Sequence, residues 1–153
     1  VFNLLELELA EPREPAPAGH RFRSRSPGRD VGSKLTGLGV YELEPGQATW
    51  PYHFELVEEE WLLLLAGEVT LRTPEGERRL RAGDVACFPA GAAGAHAVRN
   101  DGETLARFAM PSSVARQGDA VVYPDSGKVK VSGRGFEHRG RLGEPVPYWE
   151  GEA

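Results

Sequence analysis

Cysteine is almost missing from this chain of 153 residues: Cys87 stands alone. One thiol forms no intrachain disulfide, supplies no cysteine-based zinc finger and gives no sign of an oxidising compartment. Long apolar runs are missing too, and no stretch approaches the ~20 residues that a membrane helix needs. The opening VFNLLELELAEP has no basic start and alternates leucine with glutamate. Neither a signal peptide nor an anchor is expected from it, so the expected location is the cytoplasm, with no membrane partner. The chain also lacks an excess of positive charge. Its net charge of −5 argues against a nucleic-acid partner, since neutralising phosphates takes a basic surface. Lysine is scarce, three against fifteen arginines, as are Asn and Gln. A heat-adapted source or a GC-rich genome would each give that bias. No phosphate loop, dinucleotide fingerprint or hydrolase motif is present, and no periodicity supports a long helix or an internal repeat.

Glycine (19) and proline (12) are plentiful, and they punctuate short apolar runs. LLELELA (4–10) alternates with the period of a half-buried strand, and EPREPAPAG (11–19) reads as a proline-rich connection. HRFRSRS (20–26) alternates again, with Arg21, Arg23 and Arg25 on one face, as a basic strip or a solvated edge strand. Strands are expected over 34–44, 48–55, 60–65 and 67–73, with a hairpin turn at 73–77. Two more flank Ala82-Gly83-Asp84, and two flank the turn at 100–103. Past Met110 the pattern weakens to one strand within 126–135 and an irregular arm packed over the body. The result is a chain of one domain's length, all-β, with eight or more short antiparallel strands in a sandwich or barrel.

The residues that carry chemistry lie in PYHFELVEEEWLLLL (51–65). Residues two apart on a strand share a face, so His53 and Glu55 point the same way. Glu60 shares its side with Leu62 and Leu64. If that side is the interior, a carboxylate sits at the mouth of an apolar well and needs a partner. A divalent cation is one such partner. His96, in GAHAVRN, is the other histidine next to strand-like sequence. Two imidazoles with one or two carboxylates suit Mn, Fe, Ni or Zn. His20 and His138 sit among arginines with no carboxylate at ligand spacing, and Glu58 and Glu59 read as solvated loop residues. Cys87 reads as a small buried apolar side chain. Tyr41, Trp50, Tyr52, Phe88, Arg72 and Arg107 are candidates for the mouth of a pocket. In WLLLL, Trp61, Leu63 and Leu65 fall on the face opposite Leu62 and Leu64, an apolar row that needs a cover.

The stretch Gly46, Tyr52-His53-Phe54-Glu55, Glu60, Gly67 resembles the first motif of the cupin superfamily. Gly83, Pro89, Gly91, His96 and Asn100 resemble the second. The resemblance implies a double-stranded β-helix, or jelly-roll barrel. It implies a single domain, with the motif-bearing barrel over about 34–110, N-terminal strands in 1–33 and a C-terminal arm over 111–153. It also implies one divalent metal held by His53, Glu55, Glu60 and His96, a small-molecule ligand or substrate, and a homodimer. Two departures stand out. Two extra residues within Ala92–Ala95 precede His96, and Glu55 stands where the motif has a second His. Glu55 then completes a two-His, two-Glu shell, or stands back from a His53, Glu60, His96 triad, or belongs to a solvent network at a decayed site. The function expected is that of a metal-dependent enzyme on a small polar molecule, of dioxygenase, isomerase or decarboxylase type. The alternatives are a small-molecule or sugar binder and a scaffold without chemistry.

Overall fold

A computed structural model describes residues 1–11 and 16–152. Strands follow in the order β1 (Arg23–Arg25), β2 (Thr36–Leu43), β3 (Phe54–Glu55), β4 (Glu60–Ala66), β5 (Glu68–Thr73) and β6 (Gly76–Arg81). They continue with β7 (Val85–Phe88), β8 (Ala97–Arg99), β9 (Ala106–Ser113), β10 (Asp119–Tyr123), β11 (Lys128–Gly133) and β12 (Phe136–Arg141). Among the described residues there is no α-helix, only two short 3-10 turns, Arg29–Val31 and Ala92–Gly94. None of their helices is long and apolar enough to cross a membrane.

The strands form three sheets, ordered β1-β2-β9-β4-β7, β12-β11-β10-β3 and β6-β5-β8. Side-chain alternation decides what each contributes to the interior. In β4, Leu62 and Leu64 are buried, while Trp61 is exposed and Leu63 half-buried. Register carries this inward row across the large sheet. Leu64 stands opposite Phe108, and Phe108 opposite Tyr41; Met110 faces Gly39, and Leu43 faces Ala106. The small sheet closes over this face with Val69, Leu71, Leu80 and Val98, so the apolar core lies between the two. At the motif end, Asn100 is fully buried. Its amide donates to the carbonyls of Leu43 and Thr104, and its side-chain oxygen accepts from Gly102 N–H.

Several expectations need correction. Residues 4–10 do not form a strand. A turn occupies 4–6, and the only ladder contact is a bridge from Ala10 to Ser24. Alternation was present, but the segment meets edge strand β1 at Ala10 alone. The carbonyls of Leu4 and Leu7 are taken by the Arg107 guanidinium instead. The proline-rich connection runs through 12–15, which lie outside the described residues. The basic strip is a short edge strand whose arginines are partnered: Arg23 with Glu42 and Glu44, Arg25 with Asp30. Beyond Met110 the chain forms three strands rather than one, a β10-β11-β12 meander joined to β3. The tail does not pack over the body, because every residue from Leu142 to Glu152 is exposed. Cys87 is exposed on the outer face of β7, beside Trp61.

Candidate metal centre

At one end of the core, His53 and His96 face each other across a two-residue bridge. Each backbone N–H donates to the other's carbonyl. The insertion before His96 does not displace it. Residues 92–94 coil into a 3-10 turn, anchored where Gly91 N–H donates to Glu55 O. Gly94 makes that turn fit, because a Cβ there would collide with the Pro89 carbonyl. His96 Nδ1 then meets Gly94 O at 3.0 Å, and His53 Nδ1 meets Pro51 O at 2.7 Å. Each contact requires the Nδ1–H tautomer, since a carbonyl only accepts. Each therefore leaves Nε2 to face the site. The His96 ring stacks on Phe88 at 3.8 Å between centroids, which fixes its plane.

Glu60 opens β4 and points inward above Leu62. Its approach is set by Asp119, whose carboxylate accepts backbone N–H groups from Leu56, Val57 and Glu58. Glu60 Oε2 lies 3.5 Å from His96 Nε2. His53, Glu60 and His96 each offer one ligand atom, all within 4.8 Å of one another. Glu55 is outside that trio but touches it, with Oε1 3.2 Å from His53 Nε2 and a side chain 11% exposed.

The electrostatics distinguish the four groups. Burial works against charge on His53, but Glu55 outweighs it and holds the imidazole above its ordinary value. Burial works against charge on Glu55 as well, and the bond from His53 keeps its carboxyl below the usual range. Burial lowers His96 to about 4, with His53 adding to the effect. Burial raises Glu60 to about 7, with Glu55 next to it adding repulsion. Without a metal, His53 and Glu55 thus favour each other's charged forms, His96 is neutral at pH 7 and Glu60 readily keeps a proton. The donors fit a dication. Ligand atoms about 2.1 Å from one ion stand roughly 3–4 Å apart, a small contraction from what is seen. Such an ion would take the place of the protons on His53 and Glu60.

These observations recover a known arrangement. A family model described as Cupin domain matches residues 39–112, which contain all four candidate residues. The chain carries a cupin domain over these residues. No curated protein matches this cupin, but solved structures do. A protein of Silicibacter pomeroyi, described as a sugar phosphate isomerase from a cupin superfamily, superimposes with a TM-score of 0.81 at 22% identity, over 97% of each chain. A protein of Acidithiobacillus ferrooxidans, provisionally assigned as a sugar phosphate isomerase, gives 0.79 at 26% identity. It covers 89% of this cupin and 86% of its own chain. A Thermotoga maritima protein, provisionally assigned as an oxalate decarboxylase, gives 0.59 at 20% identity over 74% of this cupin and 98% of its own chain. The sheets described above are thus a double-stranded β-helix.

Two cavities flank the centre of this cupin. One, of about 730 Å³, runs along β2 to Glu60 and is lined by Gly37, Gly39, Tyr41 and Ser112. The glycines make room on the inward row: a Cβ at Gly39 would stand 2.5 Å from the Tyr41 ring, and one at Gly37 2.5 Å from Ser112 Oγ. Burial pushes the Tyr41 hydroxyl up to about 12, with Glu60 adding to it, so it remains a proton donor. The other cavity, about 560 Å³, lies on the opposite flank and includes Trp50 and Tyr123. Of the residues expected at a pocket mouth, Tyr41 and Trp50 line these cavities and Phe88 backs His96. Arg107 points outward to the N-terminal segment, and Arg72 lies over Tyr52 while pairing with Asp125. Neither arginine lines either cavity. Glu58 is not solvated as expected; it is half-buried and accepts from Ala115 N–H. Sequence reasoning missed Asp119, Tyr123 and the glycine pair. The GLG spacing in TGLGVYELE was the available signal, since two glycines on one face of a strand mark a close approach or a void.

Proposed function

We propose that this cupin is a metal-dependent enzyme of isomerase type acting on a small polar molecule. The observation that carries the reading is the His53, Glu60, His96 trio, two of whose members have Nδ1 held by their own backbone. Such preorganisation is what a metal centre requires and a decayed site does not. The ion would supply Lewis acidity toward a substrate oxygen. The chain's own groups do the rest. Tyr41, which lines the glycine-floored cavity with Glu60, would offer its hydroxyl proton to a ligand there, and the core behind Leu62 and Leu64 would exclude water. Glu55 stands against His53 and would be the fourth residue to hold the ion. The relative from Acidithiobacillus supports the isomerase reading by its assignment.

Metal content of protein purified without chelator tests this. The parent should carry about one equivalent of Mn, Fe, Ni or Zn per chain. Glu60→Ala should carry none, and Glu59→Ala, an exposed neighbour, should match the parent. Glu55→His should keep one equivalent and shift competition between Mn²⁺ and Ni²⁺ toward Ni²⁺, the nitrogen-preferring ion. Equal metal in Glu60→Ala and Glu59→Ala would sink the trio, and an unchanged Mn/Ni preference would remove Glu55 from the shell.

We also propose that two chains pair through the outer row of Trp61, Leu63 and exposed Val85, beside one another on β4 and β7. Light scattering should then report about twice 16.7 kDa. A monomer at micromolar concentration would exclude it.

A further inference from the structure

The ladder that positions Glu55 continues through the C-terminal meander, and its register places a set of cations on the same face. Glu55 stands opposite Val121, Val121 opposite Lys130, and Lys130 opposite Arg139. One row along, Tyr123 stands opposite Lys128, and Lys128 opposite Arg141. Cross-strand partners point to one side of a sheet, so Lys128, Lys130 and Arg139 share the face of Glu55 and His53. Ring contacts agree: Tyr123 stacks on His53 at 5.8 Å, and Lys128 Nζ lies 4.8 Å over the Tyr123 ring.

These three cations line the 560 Å³ cavity, with His20, Thr49 and Trp50 among the residues completing its wall. Among its described lining residues there is no carboxylate. In a chain of net charge −5 with three lysines, two of the three are here. Arg139 also bonds Glu137 at 3.2 Å, at the outer end of the meander. Arg141 is directed away, donating to Ser126 O. A concave site with low-dielectric walls and charge of one sign concentrates counter-ions. The two ammonium groups, Lys128 and Lys130, suit a dianion with several acceptor oxygens better than a monoanionic carboxylate.

We propose that this cavity binds the phosphate group of a phosphate monoester whose other end reaches the His53, Glu60, His96 centre across Tyr123. From the His53–Glu55 strand to β11 is two strand spacings, about 10 Å. A phosphate and a carbon chain of a few atoms cover that span. The proposal names the substrate class of the enzyme proposed above and rests on that reading for its metal-facing end. The anion site itself does not depend on the metal.

The test is calorimetric titration of the protein as purified with glucose 6-phosphate, inorganic phosphate and glucose at low ionic strength. Glucose 6-phosphate and phosphate should bind, glucose should not, and affinity should fall as salt rises. Lys128→Gln/Lys130→Gln should weaken both anions by at least about tenfold, from the loss of charge-assisted bonds, with metal content unchanged. Lys130→Arg should retain binding, which separates charge from a folding defect. Glu60→Gln, which lacks metal, should still bind inorganic phosphate. Parent-like anion affinity in the double lysine variant would overturn the proposal. So would loss of phosphate binding in Glu60→Gln, because the anion would then sit on the metal. An empty metal site alongside intact, lysine-dependent phosphate binding would refute the proposed enzyme while leaving the anion site standing.

Discussion

Metal-free Glu60→Gln protein should be more stable than the metal-free parent at pH 8, by about 3 kcal/mol, and no different from it near pH 4. Glu60 titrates at 4.5 in an unfolded chain and at about 7 in the folded one, through burial first and Glu55 second. A carboxyl raised in this way favours folding while it is protonated. That contribution is complete below pH 4.5, is lost as pH rises through about 7, and stays lost above. The difference between 4.5 and about 7 corresponds to about 3 kcal/mol. Glutamine cannot ionise, so the pH-dependent loss disappears with it. The same variant should bind no metal. In the parent at pH 8, metal at one hundred times its dissociation constant should restore about 2.7 kcal/mol. Urea unfolding of both proteins across pH 4–8, with and without metal, measures all of this. A variant less stable than the parent at pH 8 without metal would show that Glu60 is a structural group.

Arg107→Ala should destabilise the protein by about 3 kcal/mol and release the N-terminal segment, with metal content unaffected. Arg107 is only 12% exposed and holds Glu42 at 2.6 Å, with Glu42 equally covered. It also donates to the carbonyls of Leu4 and Leu7, tying the first residues to the outer face of β9. Removing it leaves a covered carboxylate with Arg23 alone, at 3.1 Å, and two carbonyls without that donor. Unfolding should shift in midpoint with little change in slope, and amide exchange within residues 1–10 should rise. A loss under about 1 kcal/mol would mean that these bonds are replaced by water without cost.

The central barrel was legible because its strands obey period two against one core. The alternation of Leu62 and Leu64 with Trp61 and Leu63 is readable in WLLLL, and so is the hairpin at 73–77. The same rule failed at LLELELA, where the pattern is right but Arg107 claims the carbonyls that a ladder would need. It failed again at β10, where every residue of DAVVY is half-buried, and at β12, where all but Gly140 are exposed. Neither face of these strands is marked by polarity, because one side of the meander faces a cavity rather than a core. Within the centre, the face shared by His53 and Glu55 followed from spacing. The nearness of Glu60 to His96 did not, since it arises from strands joined through β7 and the turn at 92–94. The Nδ1 bonds to the Pro51 and Gly94 carbonyls leave no mark in the sequence either, because they depend on local backbone turns.

The segment that the family model recognises ends at residue 112, and the meander begins at Asp119. His53, Glu60 and His96 lie inside the first; Lys128, Lys130 and Arg139 lie inside the second. On the two proposals above, metal chemistry and ligand choice fall to separate stretches of chain, which meet at β3, at Tyr123 and where Asp119 holds the Glu58 backbone. Substitutions along β11 and β12 would then retune which molecule is admitted without touching His53, Glu60 or His96. Exchanging the meander between relatives would be a direct way to transplant specificity without rebuilding the barrel.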